Sequence, residues 1–192
     1  MLLDLLKKNR SYRGYDESVE IDRETLEELV DCARYTPSSV NMQPLKYYLV
    51  QKREETARIQ KLTKWARALP DLKLPHKGCC PTAFIVICQD TNICDSIPRF
   101  QKDVGIVAQT LLLAAVERGL GGCMIGNYSG EEVSRELALP EHLVPVLIVA
   151  IGKPQETVVL TDVGEDGSTD YYRDENDVHY VPKRTLKDLL IN

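Results

Sequence analysis

No run of about 18 apolar residues occurs anywhere in this 192-residue chain, which excludes a membrane-spanning helix. Basic residues are the minority of its charge, 24 against 29 acids, and a net charge of -5 argues against nucleic acid as the main partner. Histidine is scarce. The three that exist, His76, His142 and His179, lie far apart, and none of the six cysteines forms a Cys-x-x-Cys pair, so the spacing offers no zinc or iron–sulfur framework. Vicinal Cys79-Cys80 is poor geometry for such a site, and Cys88 reads as a small buried hydrophobe inside an apolar run. A Gly-x-Gly-x-x-Gly fingerprint is also missing, so a dinucleotide has no Rossmann site here. No Ser/His/Asp or Cys/His grouping for nucleophilic catalysis is visible. The first residues, Met1 to Lys8, put an acid and two lysines where a signal peptide needs a basic start followed by an apolar run, so a cytoplasmic protein is expected.

What is present is an ordinary globular composition, 43% hydrophobic and 28% charged, over a length suited to one domain. Leu2, Leu3, Leu5 and Leu6 mark a first short helix. Asp22 can cap a second, in which Leu26, Leu29, Val30 and Ala33 recur at helical spacing until Pro37. Tyr47 to Val50 reads as a strand, Glu54 to Leu62 as a polar helix, and Trp65 to Lys77 as a mobile excursion near a site mouth. Ala83 to Cys88 and Val146 to Ile151 are continuous apolar runs that fit strands buried on both faces. Between them, Val104, Val107, Ala108, Leu111, Leu112 and Ala115 form an unbroken helical stripe, stopped by Gly119, and Ser129 opens a capping box for another helix. From Asp162 to Asp177 seven acids are answered only by Arg173, which predicts a solvated loop before a closing segment in which Thr185 caps a last short helix. Helices first, then strands alternating with helices, give an α+β domain spanning 1–192, with the acidic loop and a C-terminal extension over about 160–192.

Two segments carry the chemistry. Arg10-Ser11-Tyr12-Arg13 sets two guanidinium forks beside a hydroxyl, a grouping that matches phosphate oxygens. Pro37-Ser38-Ser39-Val40-Asn41-Met42-Gln43-Pro44 holds amide and hydroxyl groups between prolines, a rigid polar surface for a planar, hydrogen-bonding ring. In this order they resemble the opening of the FMN-dependent nitroreductase family. The resemblance continues through Gly119-Leu120-Gly121-Gly122-Cys123-Met124-Ile125-Gly126, Ile151-Gly152-Lys153-Pro154 and Lys183-Arg184, covering nearly the whole chain.

That resemblance implies a nitroreductase-like three-layer α/β/α sandwich with a mixed, mainly antiparallel central sheet and a C-terminal segment extending over the partner subunit. It implies FMN as cofactor, held by Arg10, Ser11 and Arg13 at the phosphate, ribityl chain and pyrimidine edge. Pro37 would belong to the cofactor-binding turn, from which Ser38, Ser39 and Asn41 would approach the ring from the partner subunit of a homodimer with Gln43 supporting the turn, and the apolar stripe of 104–115 would supply a dimer face. Cys123, Ile125 and Gly126 would run beside the isoalloxazine. Arg184, with Lys183 second, would reach the phosphate, the more so because Asn9 stands where many members have a basic residue. The implied activity is a ping-pong oxidoreductase, with hydride passing from NAD(P)H to FMN and on to a nitroaromatic, quinone or similar small-molecule acceptor; a flavin dehydrogenase or dehalogenase, or a non-catalytic FMN-binding protein, are the alternatives. An acceptor pocket is expected from 64–80 and 98–104. Two plainer readings stay open: Arg13 could pair with Asp16 or Glu17, and Gly121-Gly122 could be a mere helix-to-strand turn.

Overall fold

The computed structural model describes residues 1–192. Helix α1 (Leu2–Lys8) leads to a two-residue strand β1 (Tyr15–Asp16) and helix α2 (Arg23–Arg34). Strand β2 (Leu45–Val50), helix α3 (Arg53–Leu62), strand β3 (Ala83–Asp90) and helix α4 (Gln101–Glu117) follow. Strand β4 (Gly121–Ile125), helix α5 (Gly130–Glu136) and the long strand β5 (Leu143–Pro154) complete the body. Beyond it lie β6 (Val158–Asp162), β7 (Tyr172–Arg173), β8 (His179–Lys183) and the short α6 (Leu186–Leu189).

β5 organises the central sheet: β3 runs antiparallel along one side, while β4 and then β1 pair antiparallel with it along the other, and β2 closes the edge beyond β3. Every strand-to-strand pairing in this sheet is antiparallel, and one isolated parallel bridge joins Ser11 to Gly122 of β4. The parallel ladder of the fold joins β6 to β8 in a separate three-stranded sheet, to which β7 adds antiparallel. Between Ile87 and Cys88 the β3/β5 register shifts, opposite Leu147 and Pro145. A proline has no N–H to give the ladder, and a bulge is where a central strand can tolerate one.

Alternation along β3 explains the three layers. Ala83, Ile85 and Ile87 meet α2 and α4 on one face, together with Val149 and Ile151. Phe84, Val86 and Cys88 meet α3 and α5 on the other, through Ile59, Val133 and Leu137. The α/β/α sandwich and both doubly buried strands are therefore as the sequence suggests. Asp22 caps α2 by accepting from Thr25 N at 2.8 Å, and Gly119 stops α4 with a left-handed φ of 71°.

One expectation is corrected. The stripe of α4 is not a dimer face: Val104, Val107, Ala108, Leu111, Leu112 and Ala115 are all buried inside the chain's own layers. A second is refined, because the acidic stretch is not loop throughout; it contains β7, and Arg173 is buried there. No helix is long and apolar enough to cross a membrane.

Candidate functional site

The Arg10–Arg13 segment is fixed by the start of β4. Tyr12 N donates to Gly122 O at 3.0 Å, and Ser11 bridges Gly122. Only glycine allows this approach: a β-carbon on Gly121 would stand 2.6 Å from the Tyr12 ring, and one on Gly122 would stand 2.1 Å from Ala150 O. Gly121-Gly122 is therefore strand, built for close packing rather than for turning.

Arg10 folds back to donate to Leu6 O at 2.7 Å, at the open carbonyl end of α1, and its buried Nε has no partner. Arg13 is 9% exposed and pairs with neither Asp16 nor Glu17. Its Nη1 donates to Ser11 O at 3.1 Å and lies 3.3 Å from His179 Nε2, and the guanidinium sits 4.9 Å from the centre of the Tyr171 ring. Guanidinium only donates, so Nε2 accepts and the His179 proton belongs on Nδ1, which is buried without a partner. Below, Arg13 N donates to Glu156 Oε1, while Glu156 Oε2 pairs with Arg173; these two side chains are 5% and 4% exposed. Residues after Pro154 thus form a strap over Arg13 of the same chain.

Two contiguous cavities open on this segment. The inner one, about 290 Å³, has Arg10, Ser11, Arg13 and Lys183 on its wall, with Tyr171 and His179. The outer one, about 580 Å³, runs along Cys123, Ile125 and Gly126 and is bounded by Lys64, Trp65 and Arg67. Arg13, Met124 and Tyr171 belong to both. The cations on these walls are Arg10, Arg13, Lys183, Lys64 and Arg67, and no carboxylate joins them. In a chain of net charge -5 this is a local excess of positive potential, suited to an anion. A larger cavity of about 1130 Å³ between β2 and α3 differs in kind: both charge signs line it, and Arg23 and Arg58 there are already paired with Glu27 and Glu136.

Seven of the predicted residues therefore meet: Arg10, Ser11, Arg13, Cys123, Ile125, Gly126 and Lys183. Lys183 rather than Arg184 faces the inner cavity, since successive residues at the end of β8 point to opposite sides. The turn with Pro37, Ser38, Ser39, Asn41 and Gln43 lines neither cavity. It is held by buried Asp103 of α4, which accepts from Ser38 Oγ at 2.6 Å and Ser39 N at 3.0 Å. Gln43 supports it, donating from Nε2 to Asn41 Oδ1 at 2.9 Å. Val40, Asn41 and Gln43 hold left-handed φ angles of 48°, 56° and 51°, a costly conformation for residues other than glycine. Of the stretches 64–80 and 98–104, expected to line an acceptor pocket, residues 64–67 border the outer cavity and 98–104 border neither cavity. Tyr171, His179, Glu156 and Arg173 had no signal in the sequence.

Burial, reinforced by Arg13 and Arg173, pushes the His179 imidazole down to about 4. Between that value and 6.5 the unfolded chain binds a proton that the native chain refuses, so native stability is full above 6.5 and falls as pH drops through the window. The urea midpoint should accordingly decline from about pH 7 to about pH 4.5, and His179→Gln should flatten that decline. An unchanged profile in the variant would remove His179 from the acid response.

The fold is a small α/β/α sandwich with paired cation-lined cavities beside β4. Residues 6–77 and 81–153 match the model of the nitroreductase family, and the chain belongs to that family. A Methanothermobacter thermautotrophicus protein provisionally named NADH dehydrogenase/NAD(P)H nitroreductase is 31% identical over 160 residues, 81% of this chain and 78% of that protein. The Bacillus subtilis FMN reductase [NAD(P)H] is 26% identical over 174 residues, 79% of this chain and 65% of the relative. Among solved structures, an Exiguobacterium sibiricum nitroreductase-like protein in complex with FMN superposes with a TM-score of 0.67, covering 81% of this chain and 89% of that one; at 21% identity it speaks for the fold.

Proposed function

We propose that the chain is an FMN-dependent NAD(P)H oxidoreductase whose cofactor lies across the two cavities. The observation that carries this reading is the carboxylate-free wall bearing Arg10, Arg13 and Lys183 in an acidic protein. A phosphate of about -1.5 to -2 charge answers those cations. The names of the B. subtilis and archaeal relatives point the same way.

FMN, when bound, supplies hydride acceptance and delivery. The chain's own part is positional and electrostatic. Arg10, Ser11 and Lys183 would bind the phosphate and ribityl end, and Arg13, on both walls, would place positive charge at the pyrimidine edge and raise the cofactor's potential. The backbone from Cys123 to Gly126 would flank the ring, and Trp65 would exclude water from one side. NAD(P)H and the acceptor then share the outer cavity in turn. The purified protein should take up FMN in preference to FAD or riboflavin, and anaerobic NADH or NADPH should bleach it; no uptake of FMN, or no bleaching by either nucleotide, would end this reading.

The active unit of this reading is a cytoplasmic homodimer, with Ser38, Ser39 and Asn41 reaching the partner's cofactor. Leu186, Leu189, Leu190 and Ile191 are 71%, 63%, 57% and 101% exposed, and Ile106 on α4 is exposed as well, apolar surface that a partner would cover. Co-expressing Arg10→Ala and Asn41→Ala chains should give heterodimers with one intact and one doubly damaged site. Partial recovery of FMN binding is expected; none, with heterodimers formed, returns Asn41 to the role of a loop residue.

A further inference from the structure

Residues 66–75 of the excursion border the outer cavity only at Ala66 and Arg67, and none of them is buried. No hydrogen bond or ion pair joins this segment to any other; its backbone bonds, Leu69 N to Ala66 O at 2.8 Å and Leu72 N to Leu69 O at 3.1 Å, are internal. It is fastened at its ends. Lys64 N donates to Asn127 O at 2.9 Å where the excursion departs, and where it returns His76 Nε2 lies 3.2 Å from Asp177 Oδ2 of the strap. Asp177 holds a left-handed φ of 59° in the loop between β7 and β8, a place where glycine is the default because a side chain there is strained. Its carboxylate is engaged at both oxygens: Oδ1 accepts from Arg173 Nη1 at 2.9 Å and Oδ2 faces His76. Arg173 also pairs with Glu156, whose second oxygen accepts from Arg13 N. A continuous line of polar contacts, His76–Asp177–Arg173–Glu156–Arg13, thus runs from the excursion to a residue shared by both cavities. The exposed pairs Arg23–Glu27 and Arg34–Asp31, by contrast, each lie within α2 and join no two segments.

We propose that Asp177 is a positioning residue that latches the excursion to the strap, so that the segment leading from the outer wall and the strap on the inner wall close as one lid over the cofactor. The inference rests on the FMN reading for what lies beneath the lid and adds the residue that joins its halves. His76 and Asp177 are 46% and 49% exposed, so their contact alone is weak. Its leverage comes from order already present on one side: the hairpin and the buried Arg173 fix the Asp177 carboxylate, and only His76 has to be immobilised to meet it. On the other side, an unburied segment without polar anchors of its own lets a small free energy decide its place. Coupling of this kind is reciprocal, so a ligand that holds the strap also holds the excursion.

The test follows amide exchange by mass spectrometry in the FMN-free and FMN-loaded protein. FMN should slow exchange at 68–76, residues that line neither cavity and are reached through the latch. Asp177→Gly relieves the left-handed strain and leaves Glu156, Arg173 and Arg13 in place. In that variant exchange at 68–76 should run about threefold faster, the size of one half-exposed contact, and should no longer respond to FMN, while His179–Lys183 keeps its protection. His76→Leu should reproduce that profile, and His76→Gln, whose amide offers a donor in place of Nε2, should restore the slower one. Unchanged exchange at 68–76 in Asp177→Gly, or no response of 68–76 to bound FMN in the unmodified protein, would overturn the proposal. So would equal loosening of 68–76 and His179–Lys183, which would make Asp177 a hairpin residue and nothing more. A protein that takes up no FMN while Asp177→Gly still frees 68–76 alone would sustain the latch as the cofactor reading fails; FMN uptake with 68–76 indifferent to Asp177→Gly would do the reverse.

Discussion

Alanine in place of Arg13 is expected to release FMN on purification and to raise its dissociation constant about 100-fold, the size of one charge-assisted hydrogen-bonded contact at a desolvated site. Arg13 is the cation common to both cavities, and burial leaves its guanidinium few places to go. Its backbone bond to Glu156 survives the substitution, so the strap has no direct reason to leave. What disappears is the charge and the stack on Tyr171. Arg13→Lys should recover only part of the affinity, because an ammonium lacks the planar fork and stacks less well. Riboflavin separates the roles: Arg10→Ala and Lys183→Ala should weaken FMN far more than riboflavin, while Arg13→Ala should weaken both. Retention of FMN by the Arg13→Ala protein, or equal affinity of the unmodified protein for riboflavin and FMN, would remove the phosphate and ring assignments together.

The parts of this molecule that were legible in sequence are those whose signal is local. The apolar runs of β3 and β5 and the stripe of α4 state their burial by periodicity alone, and Asp22 states a cap by its position. β4 was harder, since two glycines are poor strand formers; they are there because Tyr12 and the Ala150 carbonyl leave no room for a β-carbon, a fact of tertiary packing. The α4 stripe also shows what periodicity leaves out: it reveals that a face is buried but not against what, and the chain's own sheet, rather than a partner, takes it. Arg173 read as the lone base in an acidic run, yet its buried partner is Glu156, seventeen residues away and outside that run. His179 looked isolated for the same reason. The choice between Lys183 and Arg184 turned on strand phase, which composition does not reveal.

Breaking the Glu156–Arg173 pair should have the largest effect on the strap. Removing one member of a buried ion pair leaves an uncompensated charge and costs about 3 to 5 kcal/mol. Arg173→Ala strands the Glu156 carboxylate with only the Arg13 N–H, and Glu156→Ala strands Arg173 with the half-exposed Asp177, 2.9 Å away. A loss of that size need not unfold the body. β6, β7 and β8 form their own small sheet, and the buried clusters of the three-layer core contain no residue beyond Ile151, so the least costly response is to detach the strap. Amide exchange along His179–Lys183 should therefore speed up far more than exchange in β3 or β5, and FMN affinity should fall because Lys183, His179 and Tyr171 leave the inner wall together. The double variant Glu156→Ala/Arg173→Ala should be milder than the sum of the two singles, since it buries no orphan charge. Additive singles, or a β8 that exchanges as slowly as before, would show that the pair does not hold the strap and that Arg13 is positioned by Ser11, Tyr171 and His179 without it.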